Sequence, residues 1–346
     1  MSTDRLALKG APGSPYTRKM LALMRYRHID YRLLIGGLGS HDTTEDLPEP
    51  KVSLLPTFYF PDASGVPEAV VDSTPIIRRL EEEYPGRSVI PSHPVLRFLD
   101  ELFEDYGDEW LTKAMFHYRW YYKDDIERAG AILPRWRDLT GTDEDIAPRS
   151  EMISQRQIDR LYVVGSNDTT ASVIEGSYQR FLKLFRAHLT KGGFALGGRP
   201  ASSDFALYGQ LTQLTAFDPT PMALTFKETP HVYAWVSVVD DLSGLEPNNE
   251  DWFDPGSLPG TFADLLDELG RTYVPVMLAN ARAIDQGLKE VKTEVEGEAW
   301  IQQPFPYQAR CLSWLRASYV SLDDEHRELV DEILAPSGCG QLFEKP

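Results

Sequence analysis

The N-terminal part of the sequence contains a serine whose setting suits the binding of an anion. Ser14 is followed by Pro15, where a stretch with helical periodicity begins. Serine is a favoured N-cap residue, and proline is favoured at the first helical position. The first turn of a helix presents unpaired backbone N–H groups and the positive end of the helix dipole. We therefore predict an anion beside the Ser14 hydroxyl, with simple capping of the helix by Ser14 as the alternative.

Two later segments contain residues that could contact the same ligand. Pro56 stands at the entrance of the apolar stretch 53–60, and Asp72-Ser73 opens a second helical pattern. The alternative for these residues is an ordinary trans proline at a strand entrance and simple capping of the helix by Ser73 or Thr74. Together with Ser14 they form a candidate binding site.

A small mixed sheet is predicted to position these segments. The pattern of residues 1–90 is strand, helix, strand, loop, strand, strand, helix, with the loop at 36–50. A βαβ unit followed by a hairpin and a helix gives a mixed sheet with helices packed on it. The predicted strands are 6–8, 28–35, 53–60 and 69–71.

Helical patterns dominate the rest of the chain. One long, aromatic helix is predicted at 95–122 and a polar loop at 138–149, and the stretch 284–298 is polar and acidic. Further helices are predicted at 155–161, 173–189, 204–216, 233–242, 261–280, 305–319 and 324–334. We divide the chain into domains 1–90 and 91–245 and a helical C-terminal extension, 246–346.

Composition restricts the class of function. The 346 residues carry a formal net charge of -18, which disfavours nucleic-acid binding because phosphates would be repelled. Cys311 and Cys339 are the two cysteines, and their spacing fits neither a metal site nor a redox pair. The sequence has no run of the roughly 20 apolar residues that a membrane-spanning helix needs. We expect a cytoplasmic protein without a metal, a membrane or a nucleic-acid partner.

The motifs together resemble those of a known family. Ser14-Pro15-Tyr16, 54–57 and 72–76 are similar, in order and spacing, to the thioredoxin-like domain of the glutathione S-transferase superfamily. Residues 192–208 and 229–235 resemble its all-helical C-terminal domain. The resemblance covers roughly residues 4–243 and is to a serine-type, bacterial-like member. It implies a thioredoxin-like α/β domain followed by an all-α domain, here with extra C-terminal helices.

The resemblance assigns a part of glutathione to each segment. Pro56 matches the family's cis-proline, which would turn the Leu55 backbone toward the cysteinyl residue like an added strand. Asp72 would bind the γ-glutamyl ammonium group, and Ser73 would hold the γ-glutamyl carboxylate. Ser14 would donate a hydrogen bond to the sulfur and lower a thiol pKa that starts at about 8.5.

The implied activity is that of an enzyme, a glutathione transferase that adds the glutathione thiolate to a small hydrophobic electrophile. The alternatives are a non-catalytic glutathione- or protein-binding module and a glutathione-dependent lyase or isomerase. The family also implies a homodimer.

The electrophile is expected between the two domains. Aromatic residues are predicted to form its apolar wall, and the alternative for each is a place in the core. The candidates are Tyr16, Phe116, Tyr118, Trp120 and Tyr121. His117 and Arg119 could assist, and Asp204 is expected to have a structural role.

Overall fold

The N-terminal domain has the predicted thioredoxin-like order of elements. The structure is a computed structural model that describes residues 5–35 and 47–344. The predicted loop at 36–50 therefore lies mostly outside the described residues. The elements are β1 (Leu6–Lys9), α1 (Pro15–Tyr26), β2 (Tyr31–Leu34), β3 (Thr57–Pro61), β4 (Pro67–Val70) and α2 (Ser73–Glu83).

The four strands form one mixed sheet in the order β2-β1-β3-β4. β1 is parallel to β2 and antiparallel to β3, which is antiparallel to β4. Leu8 lies opposite Phe58, and both side chains are fully buried in the main core. Ala7 points to the other face and joins a smaller cluster, as alternation along a strand requires. Because Lys9 pairs with Thr57, the loop after β1 lies beside the start of β3.

The second part of the chain is helical, as predicted. Its helices are α3 (Pro94–Asp105), α4 (Thr112–Tyr121), α5 (Lys123–Ile132), α6 (Asp143–Ile158), α7 (Ala171–Gly192), α8 (Ser202–Ala216), α9 (Pro219–Glu228) and α10 (Pro230–Val239). Short 3-10 turns lie at Arg135–Arg137, Leu161–Val164, Asn249–Asp251, Pro255–Ser257 and Cys339–Leu342.

Several details of this part differ from the sequence-based prediction, which contained neither α5 nor α9. The long helix expected at 95–122 is α3 and α4 joined by a π-helical segment, Tyr106–Leu111. Gly107 in this segment approaches α8 so closely that a Cβ atom would lie 3.1 Å from the backbone nitrogen of Leu207. The loop expected at 138–149 is wrong from Asp143 onward, because a capping box of Thr142 and Asp145 starts α6 there.

α8 is the central helix of the protein, and it is buried along most of its length. Asp204 near its start is fully buried and accepts hydrogen bonds from the backbone N–H groups of Ala195 (2.8 Å) and Ala201 (2.9 Å). Asp204 thus ties the preceding loop to the helix, which is the structural role expected of it.

The C-terminal extension is mostly helical, but it also contains a β-hairpin that the sequence analysis did not predict. Its elements are α11 (Gly260–Glu268), a π-helical segment (Leu269–Tyr273), α12 (Val274–Asp285), β5 (Val291–Val295), β6 (Glu298–Gln302), α13 (Pro306–Ser321) and α14 (Asp324–Leu334). Glu296 and Gly297 form the hairpin turn with positive φ angles of 57° and 81°. α13 and α14 pack on α3. Of the helices in the described ranges, none is long and apolar enough to cross a membrane.

Candidate functional site

Ser14 caps α1, as predicted, and its hydroxyl also faces the segment before β3. The Thr17 N–H donates to Ser14 Oγ over 3.2 Å, which is N-cap geometry. The Ser14 hydroxyl in turn donates to the carbonyl oxygen of Leu55, also over 3.2 Å. Because Ser14 is only half-buried, its hydroxyl lies within reach of a ligand at the positive end of the α1 dipole.

The Leu55–Pro56 peptide bond is cis, as the resemblance implied. The Thr57 hydroxyl donates to the carbonyl oxygen of Leu54 over 2.7 Å and fixes the chain on either side of this bond. Pro56 is buried, whereas Leu55 is half-buried. The turn therefore holds the Leu55 backbone beside Ser14 at an accessible edge of the sheet.

Asp72 and Ser73 lie together at the start of α2. Asp72 has a φ of 88° and a ψ of 109°, a conformation that costs a non-glycine residue about 1–3 kcal/mol and is concentrated at functional sites. The side chains of both residues already have partners in the protein. Ser73 Oγ accepts a hydrogen bond from Lys19 Nζ (3.1 Å), and Asp72 Oδ2 accepts one from the Tyr307 hydroxyl (2.9 Å).

The loop that carries Ser14 is held by two helices of the second domain. Arg119 on α4 donates to the carbonyl oxygen of Gly13 over 2.9 Å, and Gln213 on α8 donates to that of Pro12 over 3.2 Å. Arg119 is itself fixed by Asp218, whose two carboxylate oxygens accept three of its hydrogen bonds at 2.9 to 3.1 Å. Arg119 therefore positions the loop.

Two of the predicted wall residues are core residues, so that part of the prediction is wrong. Tyr118 and Trp120 are each 2% exposed and belong to hydrophobic clusters. Tyr118 packs against Tyr178, with ring centroids 5.7 Å apart. The spacing of aromatic residues along one helix does not show which of its faces a neighbouring element covers. In α4, the faces that carry Tyr118 and Trp120 are both covered.

Tyr16 and Tyr121 are half-buried, and both have defined polar partners. The Tyr16 hydroxyl donates to the backbone carbonyl of Asp108 over 2.8 Å, so it links α1 to the π-helical segment. Burial raises the pKa of Tyr16 well above its usual value. Tyr121 donates to Asp168 over 2.8 Å and stacks on the buried ring of His117. Neither hydroxyl is hydrogen-bonded to Ser14.

Phe116 is the predicted wall residue whose surroundings suit an electrophile site. It is partly buried and packs in an apolar cluster that also contains Leu133 and Trp136. The same two side chains press on the Ser14 loop, because a Cβ atom on Gly13 would lie 2.5 Å from Leu133 Cδ2 and 2.7 Å from Trp136 Cζ3. Sequence reasoning missed Leu133 and Trp136, since nothing in their local pattern connects them to residues 10–14.

A cavity of about 290 Å³ lies beside Asp72, between the start of α2, the end of α3 and α13. Its polar wall contains Arg78, Glu104, Asp105, Asp108, Glu109 and Tyr307. The contribution of α13 could not be predicted from the sequence, because the helix comes from the extension and reaches the site only through the tertiary fold.

A chain of buried charges runs along this cavity. Lys19 Nζ donates to Glu104 over 2.8 Å and to Asp108 over 2.6 Å, and Arg78 donates to Glu104 over 2.9 Å. Burial favours a higher pKa for Glu104, but the charges of Lys19 and Arg78 outweigh it and lower that pKa to about 2. Burial raises the pKa of Asp108 to about 6, against the opposing effect of Lys19. The charged forms of these groups thus depend on one another.

Among known protein families, the match is to the N-terminal domain of this chain. Residues 8–88 match the family described as glutathione S-transferase, N-terminal domain. No curated protein matches the sequence.

Several solved structures are similar over most of their length. The Tau class glutathione S-transferase from mango, Mangifera indica, is 18% identical with a TM-score of 0.41, over 72% of this chain and 96% of that chain. A glutathione transferase family member from Pseudomonas fluorescens Pf-5, with two glutathione bound, is 15% identical with a TM-score of 0.41, over 69% and 90%. A glutathione S-transferase from Rhodospirillum rubrum F11 is 16% identical with a TM-score of 0.40, over 75% and 99%.

Identities and TM-scores of this size support no inference about activity. The assignment of the N-terminal domain rests instead on the match of residues 8–88 and on the strand order and helices described above. The N-terminal domain of this chain, over residues 8–88, is therefore a glutathione S-transferase N-terminal domain with a thioredoxin-like fold.

Proposed function

We propose that this protein binds glutathione, stabilises its thiolate and conjugates it to a small hydrophobic electrophile. The observation that carries the proposal is the contact between Ser14 and Leu55. The Ser14 hydroxyl stands at a helix N-terminus, 3.2 Å from the carbonyl oxygen of the residue that precedes a cis proline. A cysteinyl residue that pairs with the Leu55 backbone would bring its sulfur to this hydroxyl.

The chemistry requires little beyond placement and one hydrogen bond. Ser14 donates to the sulfur in place of the Leu55 carbonyl, and the helix dipole adds to the stabilisation of the negative charge. The thiol proton leaves to solvent. The thiolate then attacks the electrophilic carbon, and a carbon–sulfur bond forms as the bond to the leaving group, a halide in an aryl halide, breaks and the leaving group departs to solvent. Phe116, Leu133 and Trp136 supply the apolar surface next to the Ser14 loop.

Asp72 and Ser73 are proposed to bind the γ-glutamyl end of glutathione. Ser73 is the first residue of α2, so its backbone N–H is one of the unpaired donors that suit a carboxylate. The strained backbone of Asp72 places its carboxylate beside that helix start. The homodimer and the cytoplasmic location remain predictions that rest on the family resemblance and on the composition.

The test is an assay of the conjugation of glutathione to an activated aryl halide, in which product formation is monitored by absorbance. The wild-type protein is expected to turn over, and Ser14→Ala to lose roughly 10²- to 10³-fold in kcat, as for loss of one donor to a developing anion. Glutathione binding without turnover on any electrophile tested would instead favour the non-catalytic binding module. An absence of glutathione binding would overturn the proposal.

A further inference from the structure

Ser166, His117 and Glu175 are joined by hydrogen bonds on the side of α4 that lies away from the Ser14 loop. Ser166 Oγ lies 2.8 Å from His117 Nδ1, and His117 Nε2 lies 3.2 Å from Glu175 Oε1. Arg119, which holds the Ser14 loop, is two positions further along α4, so its side chain and that of His117 project to roughly opposite sides of the helix. The three residues therefore form a group separate from the proposed glutathione site.

The bonding pattern gives each ring nitrogen of His117 a different role. A carboxylate can only accept, so Nε2–H donates to Glu175, and Nδ1 accepts a hydrogen bond from the Ser166 hydroxyl. Burial lowers the pKa of His117, so the imidazole is neutral near neutral pH and can take up a proton. Tyr122 also donates to Glu175 Oε1 and holds the carboxylate in place. A hydroxyl, a neutral imidazole and a carboxylate in this order are the arrangement that activates a serine nucleophile.

The loop that carries Ser166 is fixed by hydrogen bonds on either side of the serine. Thr170, directly before α7, donates to the carbonyl oxygen of Gly165 over 2.6 Å, and Asn167 donates to that of Ile301 in β6 over 2.9 Å. Gly165 has a positive φ of 73° and turns the chain just before the serine. The serine thus stands after a tight turn and beside the start of α7, a helix of 22 residues whose dipole favours negative charge there.

Tyr121 is the half-buried residue next to the serine–histidine pair. Its ring stacks on the His117 imidazole with centroids 4.6 Å apart, and its hydroxyl donates to the exposed Asp168 over 2.8 Å. Tyr121 thus bridges the imidazole and the serine loop, and in this closed arrangement Ser166 is 4% exposed. One hydrogen bond between exposed groups contributes little free energy, so this side chain can move aside and admit a substrate.

The surroundings of the pair favour an uncharged substrate. Asp168 and the partly exposed Glu175 place carboxylates beside the pair, and the whole chain carries a formal net charge of -18, so an anionic ester would be repelled. The rings of Tyr121 and Tyr122, with centroids 5.4 Å apart, supply apolar surface. A small neutral ester fits these surroundings.

We propose that Ser166, His117 and Glu175 form a second active site, which hydrolyses small uncharged carboxylic esters without glutathione. Ser166 Oγ attacks the ester carbonyl carbon while its proton passes to His117 Nδ1, and the alcohol takes that proton and leaves as its carbon–oxygen bond breaks. Water then attacks the acyl-serine and gives a proton to His117. The acyl bond to Ser166 breaks, the serine oxygen takes the proton back, and the carboxylic acid leaves. Glu175 orients the imidazole and stabilises its protonated form.

The experiment is the reaction of the full-length wild-type protein, without glutathione, with an alkyl fluorophosphonate. This probe forms a phosphorus–oxygen bond to an activated serine and releases fluoride. Peptide mass spectrometry identifies the labelled residue, and hydrolysis of p-nitrophenyl acetate, monitored by the absorbance of p-nitrophenol, measures turnover. We expect label on Ser166 and turnover above the rate without protein. The labelling needs no variant, so it tests the proposal even where a substitution prevents folding.

Variants of the two reacting residues separate catalysis from packing. Ser166→Ala is expected to abolish label and turnover, and His117→Gln to lower both by roughly 10²-fold or more, as for loss of a general base. Ser177→Ala and His188→Gln are the matched controls, because both side chains are buried and hydrogen-bonded to residues other than this pair. Both controls are expected to keep the label on Ser166 and wild-type turnover.

Glu175 acts through His117, so its variants are compared by kcat and KM. Glu175→Gln is expected to lower kcat by roughly tenfold or more with KM unchanged, and Glu175→Asp, which keeps a carboxylate, to retain more of kcat. Tyr121→Phe keeps the stacked ring and loses the hydrogen bond to Asp168, so its Ser166 should be labelled roughly two- to tenfold faster than in the wild type.

Absence of label on Ser166 in the folded wild-type protein, or turnover that persists in Ser166→Ala, would overturn the proposal. Losses in Ser177→Ala and His188→Gln as large as those in Ser166→Ala and His117→Gln would also overturn it, because they would attribute the effect to packing. None of these outcomes bears on the role of Ser14, since the reactions contain no glutathione.

Discussion

The hydroxyl of Tyr307 donates a hydrogen bond of 2.9 Å to the carboxylate of Asp72. This contact joins the C-terminal extension to the start of α2, at Asp72, whose φ of 88° is the largest positive φ of the described non-glycine residues of the N-terminal domain. Burial raises the pKa of Asp72, and the hydrogen bond from Tyr307 acts in the opposite direction and favours the carboxylate. The extension is thus part of the wall around the candidate site and not an appendage beside it.

Tyr307→Phe tests what this contact contributes to stability. The variant keeps the ring and loses only the hydroxyl, so we expect the free energy of unfolding to fall by about 1–2 kcal/mol, between the values for neutral and charged hydrogen bonds. Urea denaturation measures it. Tyr319→Phe is the matched control on the same helix, because its hydroxyl donates to the exposed Asp331. Equal losses in the two variants would show that the contact with Asp72 contributes no more to stability than the exposed contact with Asp331.

Arg119→Met tests the positioning of the Ser14 loop. Removal of the guanidinium leaves Asp218 buried without its partner, so we expect a loss of about 3–5 kcal/mol in unfolding free energy. The double variant Arg119→Met/Asp218→Leu should recover most of that loss but not the transferase activity, because Gly13 still lacks its donor.

The control for this prediction is Arg128→Met. The guanidinium of Arg128 also lies over the ring of Phe217, at 5.6 Å against 4.8 Å for Arg119, but Arg128 is exposed. It should change stability by no more than about 0.5 kcal/mol. Full activity in the folded double variant would contradict the positioning role of Arg119.

Gly13→Ala tests the close contact between the Ser14 loop and the apolar cluster. The added methyl group would meet Leu133 Cδ2 at 2.5 Å and Trp136 Cζ3 at 2.7 Å, so the loop or these side chains must move. We expect a lower kcat with the fold retained, measured by conjugation assay and circular dichroism. Gly244→Ala, where an added Cβ has no neighbour within 4 Å, should keep wild-type kinetics. Unchanged kcat in Gly13→Ala would show that loop placement is not critical.

The buried carboxyl of Asp204 predicts a pH dependence of stability. Burial raises its pKa from 3.8 to about 7, even though two backbone N–H groups favour the ionised form. The folded state therefore holds a proton that the unfolded state releases near pH 4, and the stability from this group falls as pH rises from about 4 to 7. In Asp204→Asn the decline of unfolding free energy over this range should be shallower than in the wild type. An identical slope would mean that Asp204 is ionised in the folded protein.

Local signals in the sequence predicted the part of the site that lies within a few residues of a helix or strand end. Ser14 before Pro15 indicated a capped helix, and the family resemblance supplied the cis bond at Pro56. Arg119 lies 106 positions from its partner Gly13 in the chain, and Tyr307 lies 235 positions from its partner Asp72. No local sequence pattern predicts contacts between residues so far apart. Tyr118 was misassigned because the sequence does not reveal that α7 covers its ring.

In the C-terminal extension, too, local patterns predicted some elements and missed others. Its apolar periodicity predicted α13, α14 and a single helix at 261–280, which the structure divides into α11, a π-helical segment and α12. The hairpin of β5 and β6 was missed because its residues are largely polar and exposed, and only Val291, Val295 and Trp300 give it an apolar face. The packing of α13 on α3, which forms the cavity, depends on contacts between segments roughly 200 positions apart.

The most direct test of the central claim is the ionisation of glutathione bound to the protein. Thiolate absorbance is titrated against pH for the wild type, Ser14→Ala and Ser14→Thr, the last of which keeps a hydroxyl and the helix cap. Our account predicts a thiol pKa at least about one unit below the free value of about 8.5 in the wild type and Ser14→Thr, and a return toward that value in Ser14→Ala. A bound thiol that titrates at its free pKa in the wild type, or a lowered pKa that survives in Ser14→Ala, would contradict the assignment of Ser14 as the donor that activates glutathione.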